Sequence, residues 1–210
     1  MEEKIMNTET QIMEAAKKVF LEKGFDGTRM QNIADVAQIN KSLLHYYYRS
    51  KEKLFDAVFN DTFSKFVPQV LGILNNELPL REKFILFAKA YSKMFFENPF
   101  IPSFILHELN RHPEKIVSYI KQGGTLKNSA EIPKVFFDQI NKEIEQGNIR
   151  PMAPCQIIVN LLSLTIFPFV ARPIIEGVIL NFANIEYNSF INERIDLIPS
   201  IMMESLKPVV

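Results

Sequence analysis

A single cysteine, Cys155, rules out an intrachain disulfide and any fold that depends on cross-links. That thiol is expected to be a buried structural one. Glycine is scarce, with 7 in 210 residues, and this disfavours turn-rich sheet architectures. The one glycine pair, Gly123-Gly124, lacks the preceding strand and the spacing that a phosphate-cradling loop needs. There is no excess of either charge: 24 basic residues balance 24 acidic ones, which excludes a chain that coats nucleic acid indiscriminately. Long apolar runs are missing as well. The most apolar stretch, Ile157 to Ala171, is interrupted by Asn160, Ser163, Thr165 and Pro168, and the opening MEEKIMNTETQ is not built like a signal peptide. A soluble cytoplasmic protein without membrane attachment is expected. No nucleophile elbow and no paired acid and base can be read, so an enzyme is not expected.

What the chain does contain is helical periodicity. Ile12, Ala15, Ala16, Val19 and Phe20 recur at helical intervals, predicting a helix that begins near Thr8 or Thr10 and ends at Gly24. Thr28 and Gln31 have the spacing of a capping box opening a second helix along Met30, Ile33, Ala34 and Ala37. Asn40 is placed to cap a third helix, with Leu44 and Tyr48 pointing inward, and Ser50 to cap a fourth that weakens or kinks at Pro68. Further helices are expected over Leu80 to Glu97, Ile101 to Asn110, Pro113 to Gln122, Pro133 to Gln146, Pro154 to Phe169 and Tyr187 to Leu206. The fold class is all-α. Residues 1–54 are expected to form an N-terminal three-helix helix-turn-helix domain, and residues 55–210 a larger C-terminal helical domain.

The balanced overall charge hides a local concentration. From Lys23 to Lys53 six bases face three acids, a net +3, around the run HYYY at His45 to Tyr48. Three consecutive tyrosines cannot all point inward from one helix, so at least one must face outward. Two short helices joined by a tight turn, with bases and hydroxyls beside them, form a unit that can lay one helix in the major groove of DNA. These residues resemble the TetR-type transcriptional regulators. Thr10, Ile12, Ala15, Ala16, Phe20, Gly24, Phe25, Thr28, Met30, Ile33, Ala34, Ala37, Ile39, Leu44, Tyr47, Ser50, Lys51 and Leu54 fall at that family's spacing, over about the first quarter of the chain. Three positions depart from its usual pattern: Gln38 stands where the family commonly has glycine, Ser42 where it often has glycine, and His45 where it often has tyrosine.

The residues and the resemblance assign the same roles in this segment. Lys41, Ser42 and Leu43 open the recognition helix, with Lys41 placed to donate to guanine O6 and N7. His45, Tyr46 and Tyr47 would bond phosphates or pack on sugars, the His45 contact varying with pH. Thr28, Arg29 and Lys51 would hold the backbone. Specificity from so small a head requires two copies on a palindromic operator in double-stranded DNA, hence a homodimer. The last two long helices are its expected interface, through Ile157, Ile158, Leu161, Leu162, Ile191, Ile195, Ile198 and Met202. The resemblance further implies a ligand-responsive repressor whose body holds a small-molecule effector, identity unknown, and no cofactor. Tyr91, Phe95, Phe104, His107, Glu108, Phe136 and Phe137 are candidates for that pocket. His107 and His112 are five apart and followed by Pro113, the wrong spacing for a helical metal pair, so no metal is expected. Two rivals remain: a helical ligand-binding protein whose head no longer binds DNA, and a helical enzyme.

Overall fold

The computed structural model describes residues 2–111, 113, 114, 117 and 134–208, and among these there are helices and no strands. In chain order they are α1 (Glu2–Gly27), α2 (Met30–Val36), α3 (Lys41–Tyr47), α4 (Lys51–Leu74), α5 (Leu80–Glu97), α6 (Ile101–Arg111), α7 (Lys134–Glu145), α8 (Pro154–Val170), α9 (Arg172–Ala183) and α10 (Tyr187–Ser205). The expected helix over Pro113 to Gln122 falls largely outside the described residues.

Two compact units emerge, Met1–Phe66 with Asn98–Gly124, and Val67–Glu97 with Thr125–Val210. The division differs from a boundary at Leu54, because the first part of α4 completes the core of the head. Phe55, Val58 and Phe59 are buried. The Phe55 ring meets Phe20 edge-on at 4.6 Å and Phe25 at 5.0 Å. The apolar stripe of α1 is buried as its spacing requires: Ile12, Ala15, Ala16, Val19 and Phe20 are all in the core. Lys17 links α1 to α4, its ammonium bonding Glu14 at 2.9 Å and Asp61 of α4 at 3.3 Å.

Three element limits differ from the expected ones. α1 begins at Glu2, before Thr8, and breaks at Gly24, whose φ of 66° only glycine adopts without strain. α4 runs through Pro68 to Leu74. α9 has no counterpart in the sequence reading; Pro173 and Gly177 conceal it, and its centre, Ile175–Leu180, is a π-helix.

The second unit is built on α5 and on α8 and α10, which run antiparallel. Tyr187 donates its hydroxyl to the Pro168 carbonyl at 3.1 Å, and Arg194 Nε donates to the Leu164 carbonyl at 3.1 Å. This pairing corrects the expected dimer face. Ile157, Leu161, Ile191, Ile198 and Met202 are buried within the chain, because the two helices spend those stripes on each other and on α5. Ile158, Leu162 and Ile195 are only half-buried. Cys155, near the start of α8, is exposed and not buried as expected.

Candidate nucleic-acid interface

The turn between α2 and α3 shows how the head is locked. The Gln38 amide donates to the Asp35 carbonyl at 3.2 Å and the Ile39 amide to the Ala34 carbonyl at 3.0 Å. This pair of bonds closes a helix whose next residue is left-handed, and Gln38 has φ 53°. A glutamine there costs on the order of 1 kcal/mol relative to glycine. Gln38→Gly is expected to stabilise the head by about 0.5 kcal/mol after the added freedom of the unfolded chain is subtracted. A thermal melt rising by about 2 °C checks this.

Asn40 then caps α3, its Oδ1 accepting from the Leu43 amide at 2.7 Å. Leu44 is fully buried and anchors the helix, while Lys41, Ser42, His45 and Tyr46 are exposed. Those four lie at i, i+1, i+4 and i+5, so they form one outward face. Tyr46, 81% exposed, is the outward tyrosine that the HYYY run required. Its ring meets that of half-buried Tyr47 edge-on at 5.6 Å. Leu43 is also half-buried. Tyr48 terminates α3 and donates its hydroxyl to Glu9 of α1 at 3.1 Å. Burial, then the Glu9 carboxylate, pushes that phenol up to about 12.

His45 Nδ1 lies 3.3 Å from the Arg49 carbonyl. A carbonyl can only accept, so in the neutral ring the proton belongs on Nδ1 and Nε2 is an acceptor. A bond from Nε2 of this ring to a phosphate therefore needs the doubly protonated imidazolium.

Two assigned residues do other work. Thr28 is 2% exposed, and its hydroxyl donates to the Gly24 carbonyl at 2.6 Å. It satisfies an acceptor freed where α1 breaks, and it neither caps α2 nor reaches outward. The residue before α2 is Arg29, which is exposed; its amide donates to Asn32 Oδ1 at 3.2 Å, while Gln31 Nε2 donates to Asp35 at 2.7 Å. Lys51, placed by the sequence on the DNA backbone, donates to the Phe25 carbonyl at 2.8 Å and lies 4.3 Å above the Phe25 ring. It ties the start of α4 to the end of α1. Ser50 caps α4 as expected, accepting from the Lys53 amide at 3.2 Å. Arg49, one of the six bases between Lys23 and Lys53, is exposed in the link between α3 and α4.

In the second unit, Tyr91 and Phe95 belong to a ladder of rings. Phe87 and Tyr91 are 4.5 Å apart, Tyr91 and Phe95 6.1 Å, and Phe95 and Phe169 4.9 Å. Phe95 and Phe136 are core residues and Phe137 is half-buried. Burial pushes the Tyr91 phenol upward. The side chains of Phe104, His107 and Glu108 lie outside the described residues, as does His112.

Comparison with known proteins agrees with this geometry. Residues 12–58 match the model for bacterial regulatory proteins of the tetR family. YhgD, an HTH-type transcriptional regulator of Bacillus subtilis, is 27% identical over 68% of this chain and 72% of its own length. The HTH-type transcriptional repressor NicS of Pseudomonas putida is 41% identical over 28% of each chain. Among solved structures, a TetR-family regulator from Marinobacter aquaeolei covers all of both chains with a TM-score of 0.64 at 16% identity. FadR from Bacillus subtilis, solved in complex with stearoyl-CoA, covers 94% of this chain and 98% of its own with a TM-score of 0.61 at 16% identity. At such identities the structures establish the fold. The family model and the regulators that align with the head establish the rest: this chain is a TetR-family transcriptional regulator with a helix-turn-helix DNA-binding head.

Proposed function

We propose that this regulator is a repressor that binds a palindromic operator as a homodimer and releases it when an apolar small molecule enters the second unit. The observation that carries the DNA side is the outward face of α3, where Lys41, Ser42, His45 and Tyr46 are exposed around a helix fixed by buried Leu44. One such face meets only a few base pairs, so two copies are needed for a useful site. Apolar residues remain on the outer sides of α8 and α10 after the chain has folded: Val159, Phe167, Leu197 and Ile201. They support dimerisation through those helices, by faces other than the ones read from the sequence. The ring ladder of α5 favours an apolar effector, and FadR, which has the same fold, was solved with stearoyl-CoA. For release, the effector must bind the DNA-free state more tightly than the DNA-bound one.

The test is operator binding with fragments selected from the source organism's genomic DNA. Affinity should fall steeply with salt, the slope of log K against log salt being about −0.9 per phosphate neutralised. Tyr47→Phe should weaken binding by a similar factor on every sequence, as expected for a phosphate contact. A chain that retains no fragment at low salt would instead be a sensory protein with an inactive head.

A further inference from the structure

We propose that α9 is an arm that packs into a second copy of this chain, an inference that rests on the homodimer reading above. α9 leaves α8 at a bend of 66°. Its root is secured: Arg172 Nε bonds Glu176 at 2.7 Å, and the Arg172 guanidinium lies 4.3 Å over the Tyr187 ring. The π-helical centre spaces Ile175 and Leu180 five residues apart, and both are buried as the inner side of the arm.

The opposite side is apolar and uncovered. Ile174, Val178 and Ile179 are each more than half exposed, and Phe182 is 96% exposed. A helix that is apolar on both sides belongs in an interior, not in water. These side chains leave on the order of 500 Å² of apolar surface on one short helix, the size of the largest patch on a typical monomer, which is itself often a functional one. The arm joins α8 to α10, whose outer sides carry the exposed Val159, Phe167, Leu197 and Ile201. Together they approach the roughly 800 Å² per partner of a stable interface. The charge pattern selects a protein over a lipid surface. Gly177 to Ile185 carries no charged side chain and the nearby Arg172 is already paired, whereas helices that lie on membranes present lysines and arginines to the headgroups.

The chain contains no tryptophan, so Phe182→Trp places a single indole at the tip of the arm. Sedimentation gives the dimer population, and the emission should shift to the blue as that population rises. Phe182→Ser with Val178→Ser should weaken the dimer at least tenfold, the usual scale for losing a buried aromatic anchor. Helical circular dichroism should be retained, since the monomer buries neither side chain. Leu197→Asp serves as the control for the rest of the interface. If Leu197→Asp dissociates the dimer while the double variant Phe182→Ser, Val178→Ser does not, or if the indole emits as a water-exposed group in a sedimenting dimer, the arm proposal fails and the homodimer stands. If the parent is monomeric at every concentration, the homodimer reading fails first. A blue shift that appears only with phosphatidylglycerol vesicles assigns the arm to lipid and overturns the proposal.

Discussion

Lys83→Met is expected to destabilise the protein by about 2–4 kcal/mol near neutral pH, measured by chemical or thermal unfolding. Lys83 is fully buried on α5, and its ammonium donates to the Leu74 carbonyl at 2.9 Å and to Gln139 Oε1 at 2.6 Å. Leu74 is the last residue of α4, so the cation sits at the negative end of that helix. Gln139 of α7 in turn donates to the Leu78 carbonyl at 3.1 Å, so one side chain secures the end of α4, the following loop, and α7. Methionine would fill most of the same volume but donate nothing, leaving two buried acceptors unmet. The opposing effect is relief of a desolvated charge, and the pH dependence separates the two. Burial holds the Lys83 ammonium below its ordinary value of 10.5. Between that lowered value and 10.5 the unfolded chain binds more protons than the folded one, so stability contributed by this group rises with pH across that interval. The parent should therefore gain over Lys83→Met as pH climbs toward 10.5. A variant more stable than the parent at neutral pH would mean that burying the charge outweighs the hydrogen bonds.

The head was legible in the sequence wherever one local signal decided the outcome. Asn40 and Ser50 cap their helices because a short polar side chain before a helix has a free amide three residues ahead to accept from. Gln38 was readable because a turn that tight needs a left-handed residue whatever its side chain. The inward turn of Thr28 and the bond made by Lys51 escape the sequence for a shared reason. Each has a partner on α1, the Gly24 and Phe25 carbonyls, and no spacing rule along α2 or α4 contains those partners. The second unit was less legible still. Periodicity locates α8 and α10 but does not say which apolar stripe each spends on the other, so it cannot tell core residues such as Leu161 and Ile198 from an interface. The π-helical centre of α9 follows neither the 3.6-residue nor the two-residue period, and it went unseen.

Lys41→Ala should weaken binding to a matched operator by roughly 10- to 100-fold, or about 1–3 kcal/mol, and relax preference at one base position. On random duplex the loss should be smaller, because only one charge is removed from the phosphate attraction. The separation depends on Lys41 lying in the first turn of α3, exposed, on a helix whose position it does not determine. That position is held by Leu44, which is fully buried, and by the 2.7 Å bond from the Leu43 amide to Asn40. The variant should consequently melt with the parent, whereas Leu44→Ala, which hollows the core of the head, should lose DNA binding together with stability. An equal loss on operator and random DNA would make Lys41 a phosphate contact and move base reading to Ser42 or His45. Unchanged operator binding in a correctly folded Lys41→Ala protein would mean that Lys41 touches neither base nor phosphate, and would overturn the placement of the first turn of α3 in the groove.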